Sequence, residues 1–265
     1  EEVLPETSRQ LKTVMQSMID SGKISPESKI AFVNDGSKDN TWNIISALCT
    51  DDGIFAGINL SRNKGHQNAL LAGLMTAKKY ADAVISLDAD LQDDVDAIEK
   101  MVDNFIAGDD IVYGVRSSRK KDTFFKRFTA EGFYKFMAAM GVEIVFNHAD
   151  YRLMSRRALD ALSEFDEVNL FLRGIVPQIG FRTSTVEYER KERLAGESKY
   201  PLKKMLSFAF EGITSFSVRP LKIATTLGIF SLLVCLAMLI YCIVSKATGH
   251  AVAGWASIGA SVWAL

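Results

Sequence analysis

The sequence predicts an α/β fold, a mostly parallel sheet flanked by helices, followed by long apolar C-terminal helices. Three observations carry that expectation. Short apolar strand-like runs alternate with helical patterns up to about residue 116, the signature of βαβ units. A polar cluster stands at the end of each of these strands. From Ile223 to Val244 there is no charged residue.

The elements come in this order. Leu4, Leu11, Val14, Met15, Met18 and Ile19 recur at helical spacing, and Lys29 to Val33 reads as a strand. A helix is predicted from about Thr41 to Cys49, then a strand over Ile54 to Leu60. Gln67 to Tyr80 is helical, with Ala69, Leu70, Gly73, Leu74 and Ala77 on one face. Ala83 to Leu87 is a strand, Val95 to Ile106 a helix, and Asp110 to Val115 a strand. Beyond Arg116 the pattern changes. Arg119-Lys120-Lys121 is a basic loop, and Phe124 to Met140 is a helix carrying aromatics throughout. Tyr151 to Met154 and Thr185 to Glu189 read as strands, with a helix from Arg156 to about Leu162 between them. Leu202, Met205, Leu206, Ala209, Ile213 and Phe216 form one apolar face, which suits a helix lying on a membrane surface.

The apolar run is flanked by Lys222 and Lys246. As a helix its 22 residues span roughly 33 Å, the thickness of a bilayer core. Lys203, Lys204, Arg219 and Lys222 crowd its N-terminal flank, so the large domain is expected on the cytoplasmic face. Residues 251–265 are uncharged too and read as the start of a second span, cut short. The expected organisation is therefore a catalytic domain over 1–199, a juxtamembrane helix over 200–219 and spans over 221–245 and 251–265. Three cysteines in 265 residues give no disulfide framework and fit a reduced cytosolic setting. A net charge of −1 gives no pointer to nucleic acid, and no such partner is expected. Oligomeric state is not legible; a homo-oligomer is left open.

In open α/β sheets ligands bind beyond the carboxyl ends of the strands. Those ends carry Asn34-Asp35-Gly36-Ser37, Ser61 to His66, Asp88-Ala89-Asp90-Leu91-Gln92 and Gly114-Val115-Arg116. Four polar clusters on one edge of one sheet read as a single site. Asp88 and Asp90 alternate at a strand end, and Gln92 continues the series. Paired hard oxygen ligands suit Mg²⁺ or Mn²⁺ bridging a diphosphate. Asp93 or Asp94 is expected to cap the next helix, and His66 to start one without a catalytic role. Arg62 and Arg116 suit phosphate. Asp150 reads either as a site acid or as an ion-pair partner of Arg152. Arg193 to Lys199 sets an arginine, a hydroxyl and a lysine on a glycine turn, a pattern that suits an anion.

These motifs together resemble glycosyltransferase family 2, of GT-A fold, in its polyprenyl-phosphate branch. The residues that carry the resemblance are Asn34 to Ser37, Arg62 to Gln67, Asp88 to Gln92, Tyr113 to Arg116, Ala149 to Met154 and Arg193 to Lys199. The nearest look-alikes are the bacterial undecaprenyl-phosphate (bactoprenol) glucosyltransferases; the dolichyl-phosphate mannose synthases are cousins. The resemblance implies that Asp35, Asn63, Asp88 and Arg116 hold the nucleotide sugar and that Asp88, Asp90 and Gln92 organise the metal. It implies that Arg127, Arg193, Ser198 and Lys199 meet the lipid phosphate. At the family's serine spacing after Arg127 stands Glu131, so only the arginine is carried over. Asp90, Asp150 and Arg193 would be the catalytic set. Asp150 aligns with the acid often taken as base, although a lipid phosphate is already largely ionised, its second pKa being roughly 6. Orienting an arginine is the other role open to Asp150. Inversion by a single displacement is expected. The family's opening strand is expected to be missing, since Glu1 to Leu4 matches the family segment just after that strand. A GDP-mannose-dependent mannose synthase and a non-catalytic membrane subunit are the rival readings. A processive synthase is disfavoured, because no Arg-Trp pair occurs.

Overall fold

Leu4, Leu11 and Met18, seven residues apart, line the buried face of helix α1 (Leu4–Asp20), and Pro5 sits in its first turn, where no backbone donor is needed. The computed structural model describes residues 1–117, 148–165, 172–189 and 219–249, together with Gly254 and Ile258. Strand β1 (Ile30–Asn34), helix α2 (Thr41–Asp51) and strand β2 (Phe55–Asn59) form a parallel unit, in register from Ile30 against Phe55 to Asn34 against Asn59. Phe32 and Phe55 stack across it with ring centroids 6.0 Å apart. Helix α3 (His66–Ala77) comes next, then β3 (Ala83–Ser86), α4 (Ala97–Ile106) and β4 (Ile111–Arg116). After β5 (His148–Ser155) come α5 (Arg156–Leu162), the single turn α6 (Leu172–Ile175) with a 3₁₀ turn behind it, and β6 (Thr183–Tyr188).

Strands β3 to β6 make a four-stranded sheet in the order β3-β5-β4-β6. Here the expectation of a mostly parallel sheet is corrected. β5 lies antiparallel between β3 and β4, and only the β4–β6 pair is parallel, so this sheet is mixed. Among the described residues β1 and β2 form a separate sheet, so the four strand-end clusters do not share one sheet edge. Hydrophobic alternation assigns faces, not neighbours, so the sequence could not show β5 entering between two parallel strands. The core lies under this sheet, where Met101, Val112, Tyr151 and Leu153 are at most 1% exposed. Each such apolar side chain contributes about 1.5–3 kcal/mol by leaving water. Because β3 and β4 run against β5, their carboxyl ends meet the amino end of β5, and that end holds Asp150.

The chain divides into two units, Glu1–Gly212 and Ile213–Leu265. The regular element described in the second is helix α7 (Arg219–Ala247). Its stretch Leu221–Ala247 has a mean hydropathy of 2.8 over its most apolar window, and 6% of that window is buried. Its length and composition suffice to cross a membrane.

Candidate active site

Strand β3 ends at Ser86, one residue before the expected Leu87; Asp88 follows it, as expected at a strand end, and Asp90 stands on the turn beyond. Several anchors shape this turn. The backbone N–H of Gln92 donates to Asp90 Oδ1 at 3.2 Å, an Asx turn. The Thr7 hydroxyl donates to the Ala89 carbonyl at 2.8 Å. Leu91 takes a left-handed φ of 55° and is 4% exposed, a conformation a leucine keeps only where packing imposes it. From beneath, Tyr188 OH donates to Asp93 Oδ1 at 2.5 Å, and Tyr151 OH donates to the Asp94 carbonyl at 2.9 Å. The two tyrosine rings meet edge-on at 5.2 Å. Burial, and after it the charge of Asp93, pushes both phenols up, so they stay donors at neutral pH. Arg116 Nη2 lies 3.8 Å from Asp93 Oδ1. The expectation that Asp93 or Asp94 caps the next helix is corrected for Asp93: α4 starts after Asp96 without a side-chain cap bond, and Asp93 serves Tyr188 and Arg116.

Asp88 is an exposed residue beside this turn. Partial desolvation raises its carboxyl above the ordinary range; the opposing pull of His66 is outweighed once Asp93, Asp90 and Asp150 add their repulsion. Surplus negative charge of this kind is what a divalent cation relieves. Asp88, Ala89 and Asp90 line a cavity of about 410 Å³ with Glu1, Val3 and Leu4. Among the described residues no three His, Cys, Asp or Glu side chains converge into a cage. Two carboxylates without a cage still fit Mg²⁺ or Mn²⁺ chemistry, since such an ion keeps water and takes the rest of its shell from substrate phosphates.

The loop after β2 is fixed by Asp35. The backbone N–H groups of Lys64 and Gly65 donate to its Oδ1 and Oδ2 at 2.7 and 2.9 Å. Asn34 ties the two strand ends, its Nδ2 donating to Asn59 Oδ1 at 2.8 Å. Gly36 has φ +63°, and a Cβ there would stand 2.6 Å from the backbone of Arg62 and Asn63, so only glycine fits. Asn63 is exposed on this loop.

Asp150 is 5% exposed and meets several donors. Arg152 Nη2 donates to its Oδ1 at 2.6 Å. Arg173 donates side-on, Nε to Oδ1 at 3.3 Å and Nη2 to Oδ2 at 3.0 Å. His66 Nε2 lies 3.1 Å and Gln67 Nε2 3.5 Å from Oδ2. Ser86 Oγ donates to the Asp150 carbonyl at 2.6 Å, which joins β5 to the strand leading into the acidic turn. Burial alone would raise the Asp150 carboxyl, but His66, Arg173 and Arg152 together hold it well below the usual carboxylate range. The same contact, chiefly the hydrogen bond that His66 gives to Asp150, raises His66 above its ordinary value.

Residues 6–163 match the family model described as glycosyl transferase family 2. The chain belongs to that family. It is 52% identical over 265 residues to the glycosyltransferase YkoT of Bacillus subtilis (strain 168), covering all of this chain and 79% of that one. It is 44% identical over 205 residues to a bactoprenol glucosyl transferase of Shigella phage SfV, covering 77% of this chain and 66% of the relative. A crystal structure of glucosyl-3-phosphoglycerate synthase from Mycobacterium tuberculosis with Mn²⁺, UDP-glucose and phosphoglyceric acid covers 76% of this chain and 73% of that one. The likeness there is a TM-score of 0.42 at 15% identity.

In this glycosyltransferase the structure brings Asp88, Asp90 and Asp150 into one electrostatic neighbourhood, with Arg116 tied to it through Asp93. Asp35, just after β1, holds the loop that carries Asn63 and runs into His66 at the start of α3. Arg127, Arg193, Ser198 and Lys199 lie outside the described residues, as do the Phe124 to Met140 helix and the juxtamembrane helix. The sequence pattern did not show the part that His66, Gln67 and Arg173 play around Asp150. His66 does start a helix, but its ring also reaches Asp150. The only signal for it was its place at a strand-to-helix junction on the site side. Arg173 stands in a four-residue turn without periodicity and gave no signal.

Proposed function

We propose that this glycosyltransferase moves a hexose, glucose from UDP-glucose, onto a polyprenyl (undecaprenyl) phosphate at the cytoplasmic face of a membrane, with inversion. The observation that carries the reading is the meeting of an acidic turn with a cation-ringed carboxylate at one end of the sheet. The turn suits a metal-bound diphosphate, and the cations suit phosphate. Similarity to a bactoprenol glucosyl transferase supports the acceptor class and the sugar. The unburied helix α7 supports a membrane anchor, which a lipid acceptor requires. The ends of the second span and the multi-pass topology belong to the same proposal.

In the proposed reaction Asp88 and Asp90, with Gln92, hold Mg²⁺ or Mn²⁺, which supplies charge neutralisation at the leaving diphosphate. Asp35 fixes the loop that carries Asn63 toward the nucleotide, and Arg116 acts beside the diphosphate. Arg127, Arg193, Ser198 and Lys199 are the proposed holders of the lipid phosphate, whose ionised oxygen attacks the anomeric carbon as the nucleoside diphosphate departs. Asp150 organises the cations around that event. The test gives the protein in membranes radiolabelled UDP-glucose, UDP-N-acetylglucosamine or GDP-mannose with polyprenyl phosphate, with and without chelator. Labelled lipid from UDP-glucose, lost on chelation, is expected. Label in no lipid from any donor overturns the proposal, and label from GDP-mannose alone replaces the sugar.

A further inference from the structure

We propose that Arg173 is a phosphate-binding residue of this site and that Asp150 acts as its anchor, a positioning residue and not a base. The inference rests on the proposed transferase function and deepens it.

A base must offer a lone pair and keep the proton it gains. A carboxylate has about four lone-pair sites. The five contacts on Asp150, from Arg152, twice from Arg173, from His66 and from Gln67, already claim them. The cations among these donors hold its proton affinity low as well.

The same contacts suit an anchor. Arg173 meets both carboxylate oxygens with one edge of its guanidinium, and two bonds fix the plane of that group. Its side chain is 33% exposed, against 6% for Asp150 and 1% for Arg152. Arg152 is thus the buried support and Arg173 the accessible member. The position of Arg173 is also built from outside. Gln67 Oε1 accepts the backbone N–H of Leu172 at 3.1 Å, locking the residue before Arg173 to the first turn of α3. The Leu172 carbonyl in turn accepts from Arg152 Nη1 at 3.4 Å. An oriented and accessible guanidinium, held on a carboxylate whose charge reaches Asp88 of the acidic turn, is chemistry for a phosphate oxygen. Two sources share that chemistry, the donor diphosphate and the acceptor monophosphate.

The experiment uses the full chain in detergent and two probes, UDP and farnesyl phosphate, titrated by calorimetry in the presence of Mg²⁺. Arg173→Gln is expected to weaken one probe by about tenfold or more and leave the other within about twofold, which names the source. Arg173→Lys keeps the charge without the fork and is expected to recover part of the loss. Asp150→Asn, measured below its melting temperature, is expected to weaken the same probe. The inference is overturned if Arg173→Gln leaves both affinities unchanged. It is equally overturned if folded Asp150→Asn binds both probes like wild type yet has lost turnover, the mark of a base. A wild type that binds neither probe also overturns it. A wild type that binds a probe in an Arg173-dependent way but transfers no sugar overturns only the transferase reading.

Discussion

The acidic turn at Asp88–Asp90 and the carboxylate of Asp150 lie in one site, and their surroundings treat them in opposite ways. Burial first, and after it the charges of Asp93, Asp90 and Asp150, raise the affinity of Asp88 for protons against the pull of His66. Asp150 is gripped by two arginines and a histidine, and its affinity falls. The first is the acidic pair whose oxygens suit a divalent cation. The second already has its cations, supplied by the chain. Carboxylates in one cleft therefore divide their work by neighbours and not by residue type. The turn is the receptive half of the site and Asp150 the structural half.

Replacing Asp150 is expected to do the most damage. Asp150→Asn leaves the Arg152 guanidinium buried without its counter-charge, and a loss of about 3–5 kcal/mol is expected in chemical denaturation at pH 7. Because the folded carboxyl sits below its unfolded value, this contribution is present above the unfolded value of about 4 and lost as pH falls beneath it. A variant as stable as wild type at pH 7 would show that the network carries little. Replacement in the turn should act on turnover instead. Asp90→Asn is expected to lower kcat about a hundredfold or more in the lipid transfer assay, with melting nearly unchanged. Equal damage to stability would erase the distinction between the two regions.

Two smaller changes probe the supports. Gly36→Ala forces a Cβ against the backbone of Arg62 and Asn63 at a positive φ, and a loss of about 2 kcal/mol with weaker nucleotide binding is expected. An unaltered protein would mean that the Asp35 loop is free to move. Tyr188→Phe removes the donor to buried Asp93 and is expected to cost about 1–2 kcal/mol. If the acidic turn depends on that anchor, metal affinity measured by Mn²⁺ titration falls with it.

How much of this was legible depends on the kind of information a sequence pattern records. Helix α5 was read at its observed bounds, Arg156–Leu162, and α2 to within two residues, because periodicity marks buried faces. The position of β5 was not legible, since its partners Ser86 and Tyr113 are far along the chain and alternation is silent about neighbours. The acidic turn was visible as a strand end with repeated carboxylates. Its state was not visible, because Asp93 and Asp150 approach only in the fold. Arg173 lies 23 residues from Asp150 and His66 lies 84 away, and neither spacing carries a local signal. What the sequence shows is where polar groups leave the sheet; which of them pair is decided by tertiary structure.

The smallest effect separates the two regions by pH. His66 links them, touching Asp150 and feeling the charge of Asp88, and the hydrogen bond to Asp150 raises its folded value above the unfolded one. A raised histidine contributes stability that is fully present below the unfolded value, about 6.5, and lost as pH rises through the folded value. With the side chain 55% exposed, solvent screens the pair, so the contribution is expected to stay under about 1 kcal/mol. His66→Asn should therefore melt below wild type at pH 6 and close to it at pH 9. A gap that grows toward pH 9 would mean that His66 is held neutral, and Asp150 would then depend on its arginines alone.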